Sequence, residues 1–464
     1  MNNKNSDAIG QLRRETQQYL QAVGFATLTP IQSMSIPAIL SGQDVVAQAE
    51  TGSGKTLAFA LPLLQNMDPT ARKPVALVMC PTRELAEQVA EQIRNAAQFI
   101  ANTKVLTLCG GVPVPPQIAS LAHGANIVVG TPGRVMDHLF KNRLLLDEIT
   151  HYVLDEADRM LDMGFEDELN AIAERLPKST QTLLFSATFP ETVDAMIARV
   201  TNSPQRVSVD STASVQHIEQ LLFKVEDSGR IQALKAVLTE YQPTSAIVFC
   251  TTKRDTQSVA LALADSGFAV AALHGDLEQR ERSEMLALFD SGSASMLVAT
   301  DVAARGLDID DVPLVVNVNV SEDPETHVHR IGRTGRAGKS GLAVTLMSAK
   351  EEIFIARIEE LLNKKLAVKG AQSLRFHANR ISTPAFTLVS LSAGKKDKIR
   401  PGDLLGALTQ DAGLVKDDIG KIKITATVSY VAIKTRSVKR TLAFFKEGKV
   451  KGKRIRARKL STVR

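Results

Sequence analysis

Ala49-Glu50-Thr51-Gly52-Ser53-Gly54-Lys55-Thr56 and, further on, Asp155-Glu156-Ala157-Asp158 decide how the chain is read. Small residues let successive backbone N–H groups curl round an anion, Lys55 reaches toward the β/γ-phosphates of a nucleotide, and the Thr56 hydroxyl suits Mg²⁺. The acidic group follows the short apolar run Tyr152-Val153-Leu154. A carboxylate pair at the end of a buried strand supplies what a phosphate loop lacks. Asp155 can hold the metal's water shell, and Glu156 can orient or deprotonate an attacking water.

Working outward, residues 45 to 209 alternate strand-like runs with helical stretches: Val75 to Cys80, Val105 to Leu108, Ile127 to Val129, Tyr152 to Leu154 and Thr182 to Phe185. Runs that are apolar throughout suit a parallel sheet covered by helices on both faces. Chemistry in such α/β sheets gathers at the carboxyl ends of strands. Pro81-Thr82-Arg83-Glu84, Gly110-Gly111, Thr131-Pro132-Gly133-Arg134 and Ser186-Ala187-Thr188 all stand at those ends. Upstream, residues 8 to 24 predict an amphipathic helix ending at Gly24. The segment Phe25 to Gln32 that follows offers a ring to stack on a base and a carboxamide that matches the N6/N7 edge of adenine.

A small, polar stretch from Asp210 to Val215 predicts a hinge. A second alternating set follows at Ala246 to Phe249, Val270 to Leu273, Met296 to Ala299, Leu314 to Val318 and Ala343 to Met347. Two α/β lobes joined by a hinge predict a cleft with half of the site on each wall. His329-Arg330-Ile331-Gly332-Arg333-Thr334-Gly335-Arg336 would supply the second wall with guanidiniums for a γ-phosphate.

The 464 residues are too many for one core, and 44% hydrophobic with 23% charged predicts a globular protein. No apolar run approaches the roughly 20 residues that cross a bilayer, and the start lacks the apolar stretch of a secretory signal, so no membrane partner and a cytoplasmic location are expected. Cys80, Cys109 and Cys250 are far apart and predict reduced core thiols. The net charge of +6 is uneven: residues 395–464 hold twenty Lys/Arg against six Asp/Glu, a net of +14, which leaves −8 for the rest. A basic end module is the footprint of a polyanion, most simply nucleic acid.

Over residues 24 to 365 the motifs above, together with Gln279, Arg282 and Thr300-Asp301-Val302-Ala303-Ala304-Arg305-Gly306-Leu307-Asp308, resemble the DEAD-box RNA helicases of superfamily two in content and order. The resemblance implies two RecA-like domains, 1–210 and 215–365, an ATP substrate and Mg²⁺. It implies Phe25 and Gln32 on adenine, Gly52, Ser53, Gly54, Lys55 and Thr56 on the phosphates, and Thr56 and Asp155 on the metal. Glu156 would handle the water, Asp308 the ribose, and Arg333 and Arg336 the transferring phosphate. Asp158, Ser186, Thr188 and His329 would couple ATP to RNA, and Arg83, Gly111, Thr131, Arg134 and Thr300 would hold an RNA strand. An aromatic residue that the family often carries upstream of Gln32 has no counterpart in residues 9 to 18.

Beyond a linker expected at 366–384, residues 385–464 follow the order β-α-β-β-α-β of an RNA-recognition motif, an α+β fold. Tyr430 is the lone aromatic on the middle strands, so binding is expected to lean on basic side chains, among them Arg400, Lys451, Lys453, Arg454, Arg456 and Arg458. The wording from Lys398 to Thr409 and Asp418-Ile419-Gly420-Lys421-Ile422 is similar to the C-terminal domain of bacterial helicases that grip a hairpin of large-subunit ribosomal RNA. That likeness implies ribosome biogenesis and pre-ribosomal particles as partners. An ATP-gated RNA clamp or scaffold, and a helicase of messenger-RNA decay or cold shock, stand as the alternatives.

Overall fold

A computed structural model describes residues 8–463 apart from 26, 50, 51, 66, 210–216, 305–308, 310 and 336–340. The predicted hinge therefore lies outside the described residues. The described residues form two compact units, the first ending at Val209 and the second starting at His217.

The first unit is built on a parallel sheet of strands β1 (Val45–Gln48), β2 (Ala76–Met79), β3 (Val105–Leu108), β4 (Ile127–Gly130), β5 (His151–Asp155), β6 (Gln181–Ser186) and β7 (Gln205–Ser208), in the order β3-β4-β2-β5-β6-β1-β7. Composition tracks position. The inner strands β2 and β4 are buried at every residue, whereas β7, Gln-Arg-Val-Ser, is an exposed edge. Edge polarity is also why β7 escapes a search for apolar runs. At the amino end the predicted long helix is shorter, Arg14–Ala22, with Tyr19 and Leu20 buried.

The second unit holds a parallel sheet of β8 (Ile218–Lys224), β9 (Ala246–Cys250), β10 (Val270–Leu273), β11 (Met296–Thr300), β12 (Leu314–Asn317), β13 (Gly341–Met347) and β14 (Ala367–Gly370), ordered β10-β11-β9-β12-β13-β8-β14. The stretch 366–384, expected as a linker, contains β14, whose exposed Ala-Val-Lys-Gly pairs in parallel with β8. Leu374 and Ile381 from the same stretch pack on this lobe's core. The three cysteines are buried and free, and burial pushes the Cys109 and Cys250 thiols up to about 12, so they are inert core groups.

The unit continues into an antiparallel sheet of β15 (Phe386–Leu391), β16 (Ile419–Ile424), β17 (Ser429–Lys434) and β20 (Ala457–Lys459), ordered β16-β17-β15-β20, with the hairpin β18 (Lys449–Val450) and β19 (Lys453–Arg454) before the last strand. With helices Pro401–Gly406 and Val438–Glu447 this is the expected α+β order. One face of the sheet, through Val389, Leu391, Val431 and Ile433, covers these helices.

The opposite face does not look outward. Register pairs Ser390 with both Tyr430 and Arg458, which places these three on one side. There Arg458 pairs with Glu284 of the helix Gln279–Asp290, and Lys421 Nζ lies 2.6 Å from Asp290 Oδ1. Tyr430 is 3% exposed, and burial, with Glu284 adding to it, pushes its hydroxyl up to about 12. The N–H of Val463 donates to Val270 O at 2.9 Å, against the edge strand β10. That cover explains an otherwise odd observation: β10 is an edge strand, yet Val-Ala-Ala-Leu is wholly buried.

His327, on the helix Pro324–Ile331, is 1% exposed, with Nε2 at 3.0 Å from Gln220 Oε1 of β8. Burial, with Arg330 adding to it, lowers its pKa to about 3. Between the ordinary histidine value and about 3 the unfolded chain binds a proton that the folded one refuses, so stability is whole above that window and falls as pH drops through it. Urea denaturation at pH 7.5 and 5.0 is expected to show a pH-dependent loss smaller by roughly 1–2 kcal/mol in His327→Gln than in the parent chain. Equal losses in the two proteins would refute a neutral buried imidazole.

Candidate functional site

Six of the first sheet's strands deliver side chains to its carboxyl edge. From β1 the chain enters the loop that ends at Gly54 and opens the helix Lys55–Gln65. Gly52 and Gly54 have φ of +82° and +94°, a region that glycine enters without strain. Gln32 is 2% exposed and explains why Gly54 tolerates no side chain. Its Nε2 donates to Gly54 O at 3.1 Å and its Oε1 accepts from the Thr29 N–H at 2.9 Å. A Cβ on Gly54 would stand 2.5 Å from that Nε2. The carboxamide thus ties the start of helix Pro30–Leu40 to the phosphate loop, with one donor and one acceptor site left over. Phe25 is 41% exposed.

β5 ends on Asp155, and Glu156 follows with φ 56° and ψ 54° before the helix Ala157–Asp162. A left-handed glutamate costs of order 1–3 kcal/mol and persists only where its surroundings enforce it. Lys55 Nζ, Asp155 Oδ1 and Glu156 Oε2 are all buried with no hydrogen-bond partner among the described residues. Burial pushes the Asp155 carboxyl up to about 7, with Lys55 pulling it down. Arg159 Nη1 stands 3.4 Å from Glu156 Oε2, with both side chains buried but not aligned for a hydrogen bond. A buried ammonium and two buried carboxylates with unused bonding capacity fit a metal–triphosphate ligand.

β6 ends on Ser186, beside Asp158. The Ser186 hydroxyl accepts from the Asp158 N–H at 3.2 Å and donates to Thr188 O at 2.8 Å. Asp158 Oδ2 accepts from the Thr188 N–H at 3.1 Å and from its hydroxyl at 3.0 Å. The structure therefore brings together three of the four residues expected to couple the sites; His329 lies in the second unit, half-buried.

A second cluster forms farther along the same edge. Thr82 caps the helix Arg83–Ala96, accepting from the Leu85 N–H, and Thr131 stands just before Pro132–Phe140 without a side-chain capping bond. Gly111 has φ +68°, and a Cβ there would come 1.6 Å from Arg83 Nη1, so the guanidinium lies directly on the Gly110-Gly111 turn. Arg134 reaches back to the same turn, Nη1 donating to Val112 O at 3.1 Å.

In the second unit Thr300 ends β11 and accepts from the Ala303 N–H at 3.3 Å. Arg333 is buried. Arg330 grips Asp301 through two hydrogen bonds of 2.6 and 2.7 Å and lies over the Phe249 ring. Asp308 and Arg336 lie outside the described residues. Sequence reasoning assigned nothing to Arg159 or Asp301, and it counted Arg330 among the guanidiniums for a γ-phosphate, whereas the structure commits Arg330 to Asp301; the one signal for Arg159 is its spacing, one helical turn after Glu156.

In the C-terminal module, Lys451 Nζ donates to Lys398 O at 3.0 Å and lies 2.9 Å from Asp403 Oδ2, while Lys453 lies 3.2 Å from Asp397. Arg400, at the start of the helix Pro401–Gly406, and the hairpin residues Lys451, Lys453 and Arg454 are thereby gathered at one exposed end. Arg456 is exposed beside Ser392. Arg458 is instead committed to Glu284.

Comparison with known proteins fits this geometry. Residues 29–196 match the DEAD/DEAH box helicase family, 229–338 the helicase conserved C-terminal domain, and 389–459 the DbpA RNA binding domain. The chain is 48% identical over 443 residues to the ATP-dependent RNA helicase DbpA of Escherichia coli (strain K12), covering 95% of this chain and 96% of that one. It belongs to the DbpA family of DEAD-box helicases. The ATP-dependent RNA helicase DbpA of Bacillus subtilis (strain 168) is 36% identical, with 97% and 98% covered. S. cerevisiae Dbp5 bound to RNA and ADP BeF3 shares the fold with a TM-score of 0.73 and 31% identity over 79% of this chain and 96% of that chain. As a DEAD-box helicase the chain binds RNA and hydrolyses ATP. Among the described residues no helix is long and apolar enough to cross a membrane.

The tie between Gln32 and Gly54 is open to test in this DEAD-box helicase. Gly54→Ala forces Gln32 from the loop, and ATP affinity read by a fluorescent analogue is expected to fall about tenfold or more. Unaltered affinity would mean that the loop does not need the carboxamide.

Proposed function

We propose that the chain is an RNA-stimulated ATPase that opens short RNA duplexes in the cytoplasm, during assembly of the large ribosomal subunit. The observation that carries the enzymatic part is the buried trio of Lys55, Asp155 and Glu156 with polar atoms unmatched by protein. The basic end of the C-terminal module, in a domain matching the DbpA RNA binding domain, supports the ribosomal target.

In this reading Gly52, Ser53 and Gly54 offer backbone N–H groups to the phosphates, and Lys55 neutralises the β/γ oxygens. Phe25 and the unused edge of Gln32 hold adenine, and Asp308 the ribose. Mg²⁺, held by Thr56 and by Asp155 through water, would supply charge to offset the phosphates. Glu156 aligns a water with the γ-phosphorus and takes its proton as the bond to the β-phosphate oxygen breaks; Arg333 and Arg336 stabilise the charge on the transferring group. Arg159, 3.4 Å from Glu156 Oε2, helps to aim that carboxylate.

Coupling runs through Asp158, Ser186, Thr188 and His329. Arg83, Gly111, Thr131, Arg134 and Thr300 hold one strand by phosphates and 2′-hydroxyls, while Arg400, Lys451, Lys453, Arg454 and Arg456 hold a structured RNA nearby. The assigned modules are 1–210, 215–365 and 385–464, and turnover needs the first two together. Each stacked step lost costs about 1–2 kcal/mol, so a bend imposed on one strand suffices to free a few pairs.

Glu156→Gln is expected to keep ATP and RNA binding and to lower RNA-stimulated turnover at least about a hundredfold. Turnover close to that of the parent chain would remove Glu156 from the chemistry. For the target, large-subunit ribosomal RNA fragments are expected to stimulate the ATPase at far lower concentration than unstructured RNA. Equal stimulation would point instead to messenger RNA.

A further inference from the structure

One buried side chain joins two segments of the first unit's carboxyl edge. Gln117, on the helix Val114–Ala122, is 6% exposed. Its Nε2 donates to Cys109 O at 3.1 Å, at the residue before Gly110-Gly111. Its Oε1 accepts from Arg134 Nη1 at 2.8 Å and lies 2.9 Å from His138 Nε2. Chemistry fixes the orientation of the amide: turned over, its NH₂ would face a guanidinium, which can only donate, and its oxygen would face a carbonyl. The Oε1 atom therefore accepts from both neighbours, and His138 carries its proton on Nε2.

His138 is fully buried, and burial lowers its pKa. Its Nδ1 has no hydrogen-bond partner among the described residues. A buried polar atom left unmatched is costly, and what the ring provides in return is a fixed donor to Gln117. Arg134 Nη1 donates in addition to Val112 O. The turn from Cys109 to Val112 is thus fastened at its start through Gln117 and at its end through Arg134, both to the helix Pro132–Phe140.

We propose that Gln117 is a positioning residue for RNA: it fixes the distance between the Gly110-Gly111 backbone and the Arg134 guanidinium, so that both meet neighbouring phosphates of one strand. The inference rests on the reading that Gly111 and Arg134 hold RNA. Side chains that set the geometry of a contact without making it change affinity through the residue they position, and a double-mutant cycle exposes that dependence.

The test uses the full chain, a single-stranded RNA, and the RNA and ATP dependence of hydrolysis. Gln117→Met, similar in size and unable to bond, is expected to raise half-saturating RNA about tenfold. The ATP half-saturation and the rate at saturating RNA should stay within about twofold, and Gln117→Met should add little to Arg134→Ala. Gln117→Glu keeps the acceptor for Arg134 and His138 but loses the donor to Cys109. It is expected to give a smaller rise, and it carries the test if the Met variant does not fold.

Were Arg134→Ala alone to leave RNA half-saturation unchanged, the RNA-site reading itself would fail. Were Arg134→Ala to raise it while the Gln117 variants do not, or while the two changes act independently, the positioning role would be overturned. A drop in rate and thermal midpoint without a shift in RNA half-saturation would overturn it too, leaving Gln117 a packing residue.

Discussion

Three ionisable groups held out of water without a full protein complement, on Lys55, Asp155 and Glu156, are the constraint around which the first unit is arranged. Ions buried in that way cost several kcal/mol each unless something compensates them. The sheet provides the rigidity to hold them: β1, β5 and β6 lie side by side at its centre, all apolar toward the core, and their ends present Gly54, Asp155 and Ser186 on one rim. The left-handed Glu156 belongs to the same economy of strain, since its backbone is imposed by a buried strand on one side and a buried helix start on the other. A nucleotide with its metal meets a cradle that is already shaped and short of partners.

Much of this was legible in the residues because the phosphate loop and the acidic strand end are local patterns, each on a run whose apolarity declares a buried parallel strand. The ends of those strands follow from the same runs, whereas the grouping of Asp158, Ser186 and Thr188 follows from the resemblance to the DEAD-box helicases. What escaped was of two kinds. Edge strands such as β7 and β14 carry too little apolar character to stand out, and β14 sits where a linker is the natural expectation. Contacts across the fold, Gln32 with Gly54 and Gln117 with Arg134, join residues whose types are ordinary and whose meeting is decided by helix packing. Tyr430 shows the limit most plainly: the sequence marks it as the lone aromatic of the middle strands, and only the register and the helix Gln279–Asp290 show that it is turned inward.

The covered sheet also bears on how this module is studied. Leu388, Ser390, Tyr430 and Ala432 are buried in the intact chain, and Arg458 is neutralised by Glu284. Cut away from its neighbour, the fragment would present a phenol ring, an aliphatic strip and a released guanidinium, the ingredients that attract unpaired bases indiscriminately. Affinities measured on such a fragment would then mix the grip of the basic end with an adhesive plane that excision creates, and selectivity among RNAs would be underestimated by the experiment meant to define it.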